Sequence, residues 1–236
     1  MPEKPWKELS IDFYGPFHGN NFLLVLIDNY SRYPIVEKVK STSCESTVEC
    51  LENIFSKFGY PSQIQSDNGP PFNSRNFTEY LRSNNVTHRK ITPYWPRANG
   101  LVERFMKNIG KSLRNSSVNN TNWESDLREF LKSYRSTPHS STKVSPIKLV
   151  MSPHSNATSL PTLANQTIDY NMIHDKAKRS HLERNEAMIE SNKKRISNHG
   201  FVLNDRGIVK NPRRSSKLQS FYFSDIYIIS AIKGDM

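Results

Sequence analysis

The spacing of apolar and polar residues changes rhythm several times along residues 1–136, and each rhythm predicts an element. Residues 8–14 alternate well enough for a strand, which Gly15-Pro16 should end. Phe22-Leu-Leu-Val-Leu-Ile27 is the longest apolar run and predicts a buried central strand over 21–28. Residues 34–40 predict a third strand, whose charged ends mark a sheet edge. Two hairpins would therefore open the chain. From Ser46 to Phe58 the period becomes helical, with Val48, Leu51, Ile54, Phe55 and Phe58 on one side and Gly59-Tyr-Pro61 as the stop. A short strand follows over Ser62 to Ser66. Asn73-Ser74 can cap a helix over Arg75 to Ser83, in which Phe77 and Leu81 are four apart. Val86 to Ile91 predicts a fifth strand, Pro93 to Asn99 a loop, and Leu101 to Leu113 a helix. Asn122 to Ser136 predicts an amphipathic helix burying Trp123, Leu127, Phe130, Leu131 and Tyr134. This order suits an α/β fold, a five-stranded mixed sheet flanked by helices on both faces.

Composition shifts near Ser152. Residues 152–168 are rich in Ser, Pro, Asn and Thr and read as a linker. Residues 169–197 are highly charged, and Ile173, Ala177, His181, Leu182 and Ile189 give a helix only a thin apolar stripe, suited to a solvent-bridging or partner-dependent element. Residues 201–232 turn to β content at Phe201-Val-Leu203, Phe221-Tyr-Phe223 and Ile226-Tyr-Ile-Ile229. The expected organisation is a core over 1–155, a charged linker and helix over 156–198, and a partial C-terminal β segment over 199–236.

Charge narrows the partners. The formal net charge is +11, with 20 Lys/Arg against 14 Asp/Glu in residues 1–155 and 13 against 8 in the remainder. Such a surface favours polyanions, because phosphate contacts release condensed counterions. Charge alone leaves DNA, RNA and an anionic membrane surface open. No apolar run is long enough to span a bilayer, and Met1-Pro-Glu-Lys-Pro5 lacks the apolar region of a secretory signal. Triplets such as Asn76-Phe-Thr78 therefore carry no glycosylation meaning. Cys44 and Cys50 are too far apart for a Cys-x-x-Cys pair and have no His cluster nearby, so they read as reduced thiols on or near a helix, with no zinc site expected.

Three carboxylates carry the candidate chemistry. Asp12 lies in Leu9-Ser-Ile-Asp-Phe-Tyr-Gly-Pro-Phe17, Asp67 in Ile64-Gln-Ser-Asp-Asn-Gly-Pro-Pro-Phe72, and Glu103 in Ala98-Asn-Gly-Leu-Val-Glu-Arg-Phe105, with 35 residues between the last two acids. Taken singly, Asp12 could cap a strand end, Asp67-Asn68-Gly69-Pro70 could be an ordinary turn, and Glu103 a solvated helix residue. Taken together, they are the hard oxygen donors that divalent cations need. Mg2+ is usually held by one or two carboxylates plus substrate phosphates, and a pair of such ions suits phosphodiester displacement. Glu103, Lys107 and Lys111 recur every four residues along one helix face. They could follow a DNA backbone, or form a solvated face with Glu–Lys pairing worth about 0.2–0.5 kcal/mol. Arg97 and Asn99 could contact phosphates or bases, although Asn99-Gly100 is equally a helix-start signal. Trp95 could stack on a base or pack on the surface. His88 reads as a strand residue and His139 as a turn residue, neither catalytic.

These three blocks resemble the D-D-35-E catalytic core of retroviral-type integrases, in the version carried by gypsy-like LTR retrotransposons. Pro2-Glu-Lys-Pro-Trp6, Thr92-Pro-Tyr-Trp-Pro-Arg-Ala-Asn-Gly100, Tyr134-Arg-Ser-Thr-Pro-His139 and Ser145-Pro146 are similar to further segments of that family, so the likeness covers roughly residues 1–155. The resemblance implies a ribonuclease H-like layout and a polynucleotidyl transferase that processes 3′ ends and transfers DNA strands. It implies Asp12, Asp67 and Glu103 as catalytic and metal-binding residues, with Mg2+ or Mn2+, as two ions: Asp12 would bridge both, Asp67 would share one and Glu103 would bind the other. It further implies double-stranded DNA as partner (element ends and target), a homo-oligomer, no membrane, and a nuclear location with a cytoplasmic phase. Residues 201–232 are weakly similar to the small β-barrel that follows such cores. The chain starts just before the first acidic strand, so the family's His/His/Cys/Cys zinc domain is expected to be lacking, which leaves open a polyprotein fragment, a decayed element copy or a host gene of retroelement origin. Two other readings stay open: an integrase-derived DNA-binding protein without catalysis, and a ribonuclease H-type nuclease acting on RNA–DNA hybrids.

Overall fold

The apolar run at residues 22–27 is an inner strand of the molecule's main sheet, one in from its edge; the central place belongs to residues 8–17. The computed structural model describes residues 2–17, 19, 21–91, 100–151, 169–196, 204–210 and 222–230. The chain divides into two compact units, Met1–Leu182 and Glu183–Met236. In the first, β1 (Glu8–Phe17), β2 (Asn21–Asp28), β3 (Pro34–Val39), β4 (Gln63–Ser66) and β5 (Thr87–Lys90) form one sheet in the order β3-β2-β1-β4-β5. The β1–β2 and β2–β3 pairs are antiparallel, as two opening hairpins require, and β1–β4 and β4–β5 are parallel. Strand β3 is an edge, with Glu37 and Lys38 exposed.

Helices cover both faces. Leu24 and Leu26 of β2, with Leu9 and Ile11 of β1, pack against α1 (Cys44–Phe58) and α2 (Arg75–Ser83) through Leu51, Ile54, Phe55, Phe77 and Leu81. Leu23, Val25 and Ile27 point the other way, onto α3 (Gly100–Val118) and α4 (Trp123–Ser136) through Val102, Phe105, Ile109, Leu113, Leu127 and Leu131. A strand buried on both sides has no polar alternation, which is why β2 reads as an unbroken apolar run. Two shorter helical elements complete this unit: α5 (Pro146–Val150), which has Pro at its start, and the first part of α6 (Tyr170–Ile196).

Local chemistry sets most boundaries. The side chains of Ser43, Ser74 and Asn122 accept the orphan N–H groups at the starts of α1, α2 and α4, caps worth about 1 kcal/mol each. Ser43 thus starts α1 at Cys44, earlier than the expected Ser46. Gly59, at φ 79°, ends it. Strand β1 continues through Gly15-Pro16 as an irregularity between Tyr14 and Phe17, where a stop was expected. Only glycine fits that kink: Gly15 has φ 140°, and a Cβ there would meet the Asn21 carbonyl oxygen at 2.9 Å. Helix α3 outruns its apolar period, which fades after Leu113. Its last turns are held by Ser116, whose hydroxyl is 2.6 Å from Asp126 Oδ2.

Three buried groups lay outside the apolar periods. Trp6 is fully buried, donates its indole N–H to the Gly59 carbonyl at 2.7 Å, and stacks on Phe58. Asp28, at the end of β2, is buried and accepts from the backbone N–H groups of Trp6, Tyr30 and Ser31 and from the Ser31 hydroxyl. Burial pushes its carboxyl above the ordinary carboxylate range, against the pull of those hydrogen bonds. His174 of α6 is buried, with Nδ1 2.5 Å from the Tyr30 hydroxyl. Burial, with Asp28 and Asp175 adding to it, pushes the Tyr30 phenol up to about 12.

The stripe expected on α6 divides. Ile173 and Ala177 pack with Tyr30, Val144 and Leu149, whereas Leu182 and Ile189 are 59% and 53% exposed. In the second unit, β6 (Arg206–Lys210) and β7 (Tyr222–Ile228) form an antiparallel pair. The two segments expected at 221–223 and 226–229 are one strand, β7. Strand β6 was not foreseen, since Arg-Gly-Ile-Val-Lys is short and charged at both ends. Phe201-Val-Leu203 lies outside the described residues.

Asp28→Asn should lower the unfolding free energy by about 2 kcal/mol, because the amide NH2 replaces an oxygen that accepts two hydrogen bonds. Urea denaturation followed by Trp fluorescence checks this; an unchanged midpoint would show that the acceptor is dispensable.

Candidate active site

Strand register positions the first two acids. Parallel pairing sets Leu9 opposite Ile64 and Ser10 opposite Gln65. Continued two residues, the same register sets Asp12 level with Asp67, the residue after β4, and adjacent strands lie about 4.8 Å apart. Asp12 pairs across β2 with Val25, whose side chain belongs to the layer under α3 and α4. Two residues on, Tyr14 packs into that same layer, so Asp12 is on the α3 side of the sheet. Asp12 Oδ1 accepts from Phe13 N–H at 2.7 Å, and Asp67 Oδ1 from Gly69 N–H at 3.0 Å. Asp67 is exposed, and Asn68 Nδ2 donates to the Ile91 carbonyl at 2.9 Å, tying the end of β4 to the end of β5.

A hydrogen-bonded pair behind Asp67 stiffens this end. The Ser66 hydroxyl donates to the Asp67 carbonyl at 2.8 Å and lies 2.8 Å from His88 Nε2. With that proton committed, the hydroxyl accepts from Nε2–H of His88. His88 Nδ1 is buried and without a hydrogen-bond partner among the described residues. Burial, and then Lys90, hold the imidazole below its ordinary range.

The third acid enters from α3. Glu103 is exposed in its first turn, where the helix dipole favours a negative charge. Glu103, Lys107, Lys111, Arg114 and Tyr14 line one groove of about 670 Å³. The expected Glu103–Lys107–Lys111 face is therefore real, and Arg104 and Arg114 add two cations to it. Close approach of β1 to α3 depends on Gly110: a Cβ there would stand 2.9 Å from the Tyr14 hydroxyl. The signal for this contact was in the chain, since a glycine inside a long helix costs about 1 kcal/mol and calls for a packing reason.

The β1–β4 register thus sets Asp12 level with Asp67, and Glu103 belongs to the helix that covers the same side of the sheet. Among the described residues no group of three or more His, Cys, Asp or Glu side chains is gathered as a metal ion would need. Two neighbouring carboxylates still fit Mg2+, which commonly takes one or two carboxylates and completes its shell with phosphate and water. Arg97 and Asn99, with Trp95, lie outside the described residues. No helix among the described residues is long and apolar enough to cross a membrane.

Residues 2–96 match the family model of the integrase core domain. The chain belongs to this integrase core family. Over 144 residues, 59% of the chain, it is 42% identical to an uncharacterised protein of Caenorhabditis elegans, covering 11% of that protein. Over 173 residues, 70% of the chain, it is 30% identical to the Transposon Tf2-3 polyprotein of Schizosaccharomyces pombe, covering 13% of it. The chain therefore spans about a tenth of the length of these relatives. Among solved structures, it is similar to a chain of the simian T-cell lymphotropic virus intasome in complex with PP2A regulatory subunit B56 gamma (TM-score 0.57, 23% identity, 70% of this chain and 60% of that one). It is also similar to the HTLV-2 integrase catalytic core domain in complex with magnesium, trimeric form (TM-score 0.53, 21% identity, 63% of this chain and 99% of that one). These likenesses identify the integrase core's sheet and helices as ribonuclease H-like.

The supports of the site can be tested separately from its chemistry. Gly110→Ala should destabilise the integrase core by about 1 kcal/mol, crowding against Tyr14 outweighing the gain in helix propensity. In a Tyr14→Phe background, which removes the crowding oxygen, the same substitution should stabilise by about 1 kcal/mol. A double-mutant cycle of denaturation midpoints reads the difference. For His88, the folded pKa lies below the unfolded value of 6.5, so its contribution is complete above that pH and is lost as pH falls below it. His88→Gln should flatten the fall in stability between pH 7.5 and pH 5.5; equal slopes would assign the fall to other groups.

Proposed function

We propose that this integrase core is a DNA-directed polynucleotidyl transferase of a gypsy-like LTR retrotransposon, performing 3′-end processing and strand transfer. The observation that carries the reading is the parallel β1–β4 register, which, continued two residues past Ser10 and Gln65, sets Asp12 level with Asp67, while Glu103 stands in the first turn of α3 on that face of the sheet. Asp12 and Asp67 would hold Mg2+ or Mn2+, with Glu103 completing the donor set for a second ion on the DNA-bound form. When bound, such ions supply neutralisation of charge on the phosphodiester and its leaving oxygen.

The chain's own residues provide position. Asp12 lies in the central strand of the sheet, paired with Val25 of β2 and two residues beyond the last β1–β4 pair, so its backbone is held in place. Asp67 is fixed through the Ser66–His88 pair behind it and the Asn68–Ile91 bond beside it. Lys107 and Lys111 follow Glu103 along α3 and would bind the phosphate backbone leading to the reacting phosphorus. Displacement at phosphorus by water or a DNA 3′-hydroxyl needs no covalent enzyme nucleophile, so positioning and charge are what the protein must supply. We further propose a homo-oligomer acting on double-stranded DNA in the nucleus, after a cytoplasmic phase. The solved relatives described as an intasome and a trimeric form support the oligomer.

One observation favours the non-catalytic alternative: the three carboxylates are not gathered into a cluster among the described residues. A Mg2+- or Mn2+-dependent assay on a branched DNA that mimics the integration product separates the two readings. Wild type should resolve the branch, and Asp12→Asn or Asp67→Asn should lower the rate at least about a hundredfold. A folded, DNA-binding wild type with no activity under these conditions would support binding alone. Cleavage confined to RNA–DNA hybrids would replace both readings with a nuclease.

A further inference from the structure

The basic surface does not end at α3. Arg104 and Asn108 line the α3 groove and also a neighbouring concavity of about 240 Å³ that runs past Tyr134 to Pro138. Pro138 in turn lines a third groove, of about 640 Å³, between the end of α4, the turn that follows it, α5 and α6. Shared lining residues make each concavity a neighbour of the next. The third groove is strongly cationic, being lined by Lys143, Lys148, Lys176 and Arg179 and by no Asp or Glu. All four side chains are exposed, and none forms a salt bridge among the described residues.

Each cation reaches the groove from a fixed element. Lys176 and Arg179 are three apart on α6, beside Ala177 and His174, which anchor that helix against Tyr30. Lys148 lies in α5. Lys143 sits in a tight turn closed by His139 N–H to the Val144 carbonyl at 3.0 Å and by Lys143 N–H to the His139 carbonyl at 2.8 Å. Its φ is 55°, a conformation in which glycine or asparagine would be relaxed and a lysine is not. The turn therefore carries a charge where backbone preference alone would select a neutral residue. A concave surface lined by one sign of charge focuses its field and attracts the opposite one.

We propose that this groove is a second binding site for the phosphate backbone of duplex DNA, extending the basic surface from the acidic residues and α3 to α6. The choice of DNA over other polyanions rests on the function proposed above, and the test below does not depend on catalysis. Duplex binding by the full chain is measured over a salt series by fluorescence anisotropy in an Asp67→Asn background. Lys143→Gln/Lys176→Gln should reduce the slope of log K against log salt by about two, one for each phosphate left without its cation. Lys148→Gln/Arg179→Gln should give the same reduction from a different pair of elements. Lys40→Gln, beyond the end of edge strand β3, should leave the slope unchanged.

Unchanged slopes in both double variants would overturn the proposal. So would an equal loss from Lys40→Gln, which would mean diffuse charge attraction. Weakened binding of a poly-glutamate peptide in the double variants, with the duplex slope intact, would assign the groove to an acidic protein partner instead. A catalytically silent wild type would leave the slope result standing, so failure of the metal-dependent reading and failure of this one remain separate.

Discussion

Parallel pairing of β1 with β4 is the constraint on which the candidate chemistry depends. Leu9 opposite Ile64 buries two apolar side chains in the α1–α2 layer, and that burial fixes the register. A slip of one residue would turn Ile64 out of the core and move Asp67 off the level of Asp12. The apolar layer on one face thus determines which carboxylates meet on the other. The β1–β2 pairing works in the same sense, since Asp12 faces α3 only because Ile11 is buried beneath Leu26's layer.

Supports around this pairing are polar and distant in sequence. Asp28 gathers the backbone of Trp6 and of the turn after β2, while the Trp6 indole holds the loop after α1. The segment entering β1 is therefore tied down at both the β2 end and the α1 end before the strand begins. On the opposite edge, the Ser66 hydroxyl between His88 and the Asp67 carbonyl links β4 to β5.

Much of this framework was legible in the amino-acid order, because strands and helices that pack on one core must keep its period. Leu51, Ile54 and Phe55 announced α1, and Ser74 and Asn122 announced the starts of α2 and α4. That Asp12 lies in the first strand and Asp67 just after the fourth could be read from their local blocks, yet their alignment depends on a register that only the pairing reveals. Less visible were groups whose partners are far along the chain. Asp28 is an ordinary strand-end residue until Trp6 N–H reaches it across 22 positions. His174 lies in a highly charged segment, and its burial follows from Tyr30, 144 residues earlier. Leu182 and Ile189 illustrate the converse: apolar spacing on a helix does not bury a residue unless another surface meets it.

The double burial of β2 makes the sheet a partition. Successive side chains along one strand report to different compartments: Leu24 and Leu26 to α1 and α2, Leu23, Val25 and Ile27 to α3 and α4. Repacking in the first compartment can proceed by volume-matched exchange without a side chain crossing into the second. The scaffold can accordingly drift on its supporting side while the surface that meets the acids keeps its shape, so long as the backbone of the dividing strand does not move.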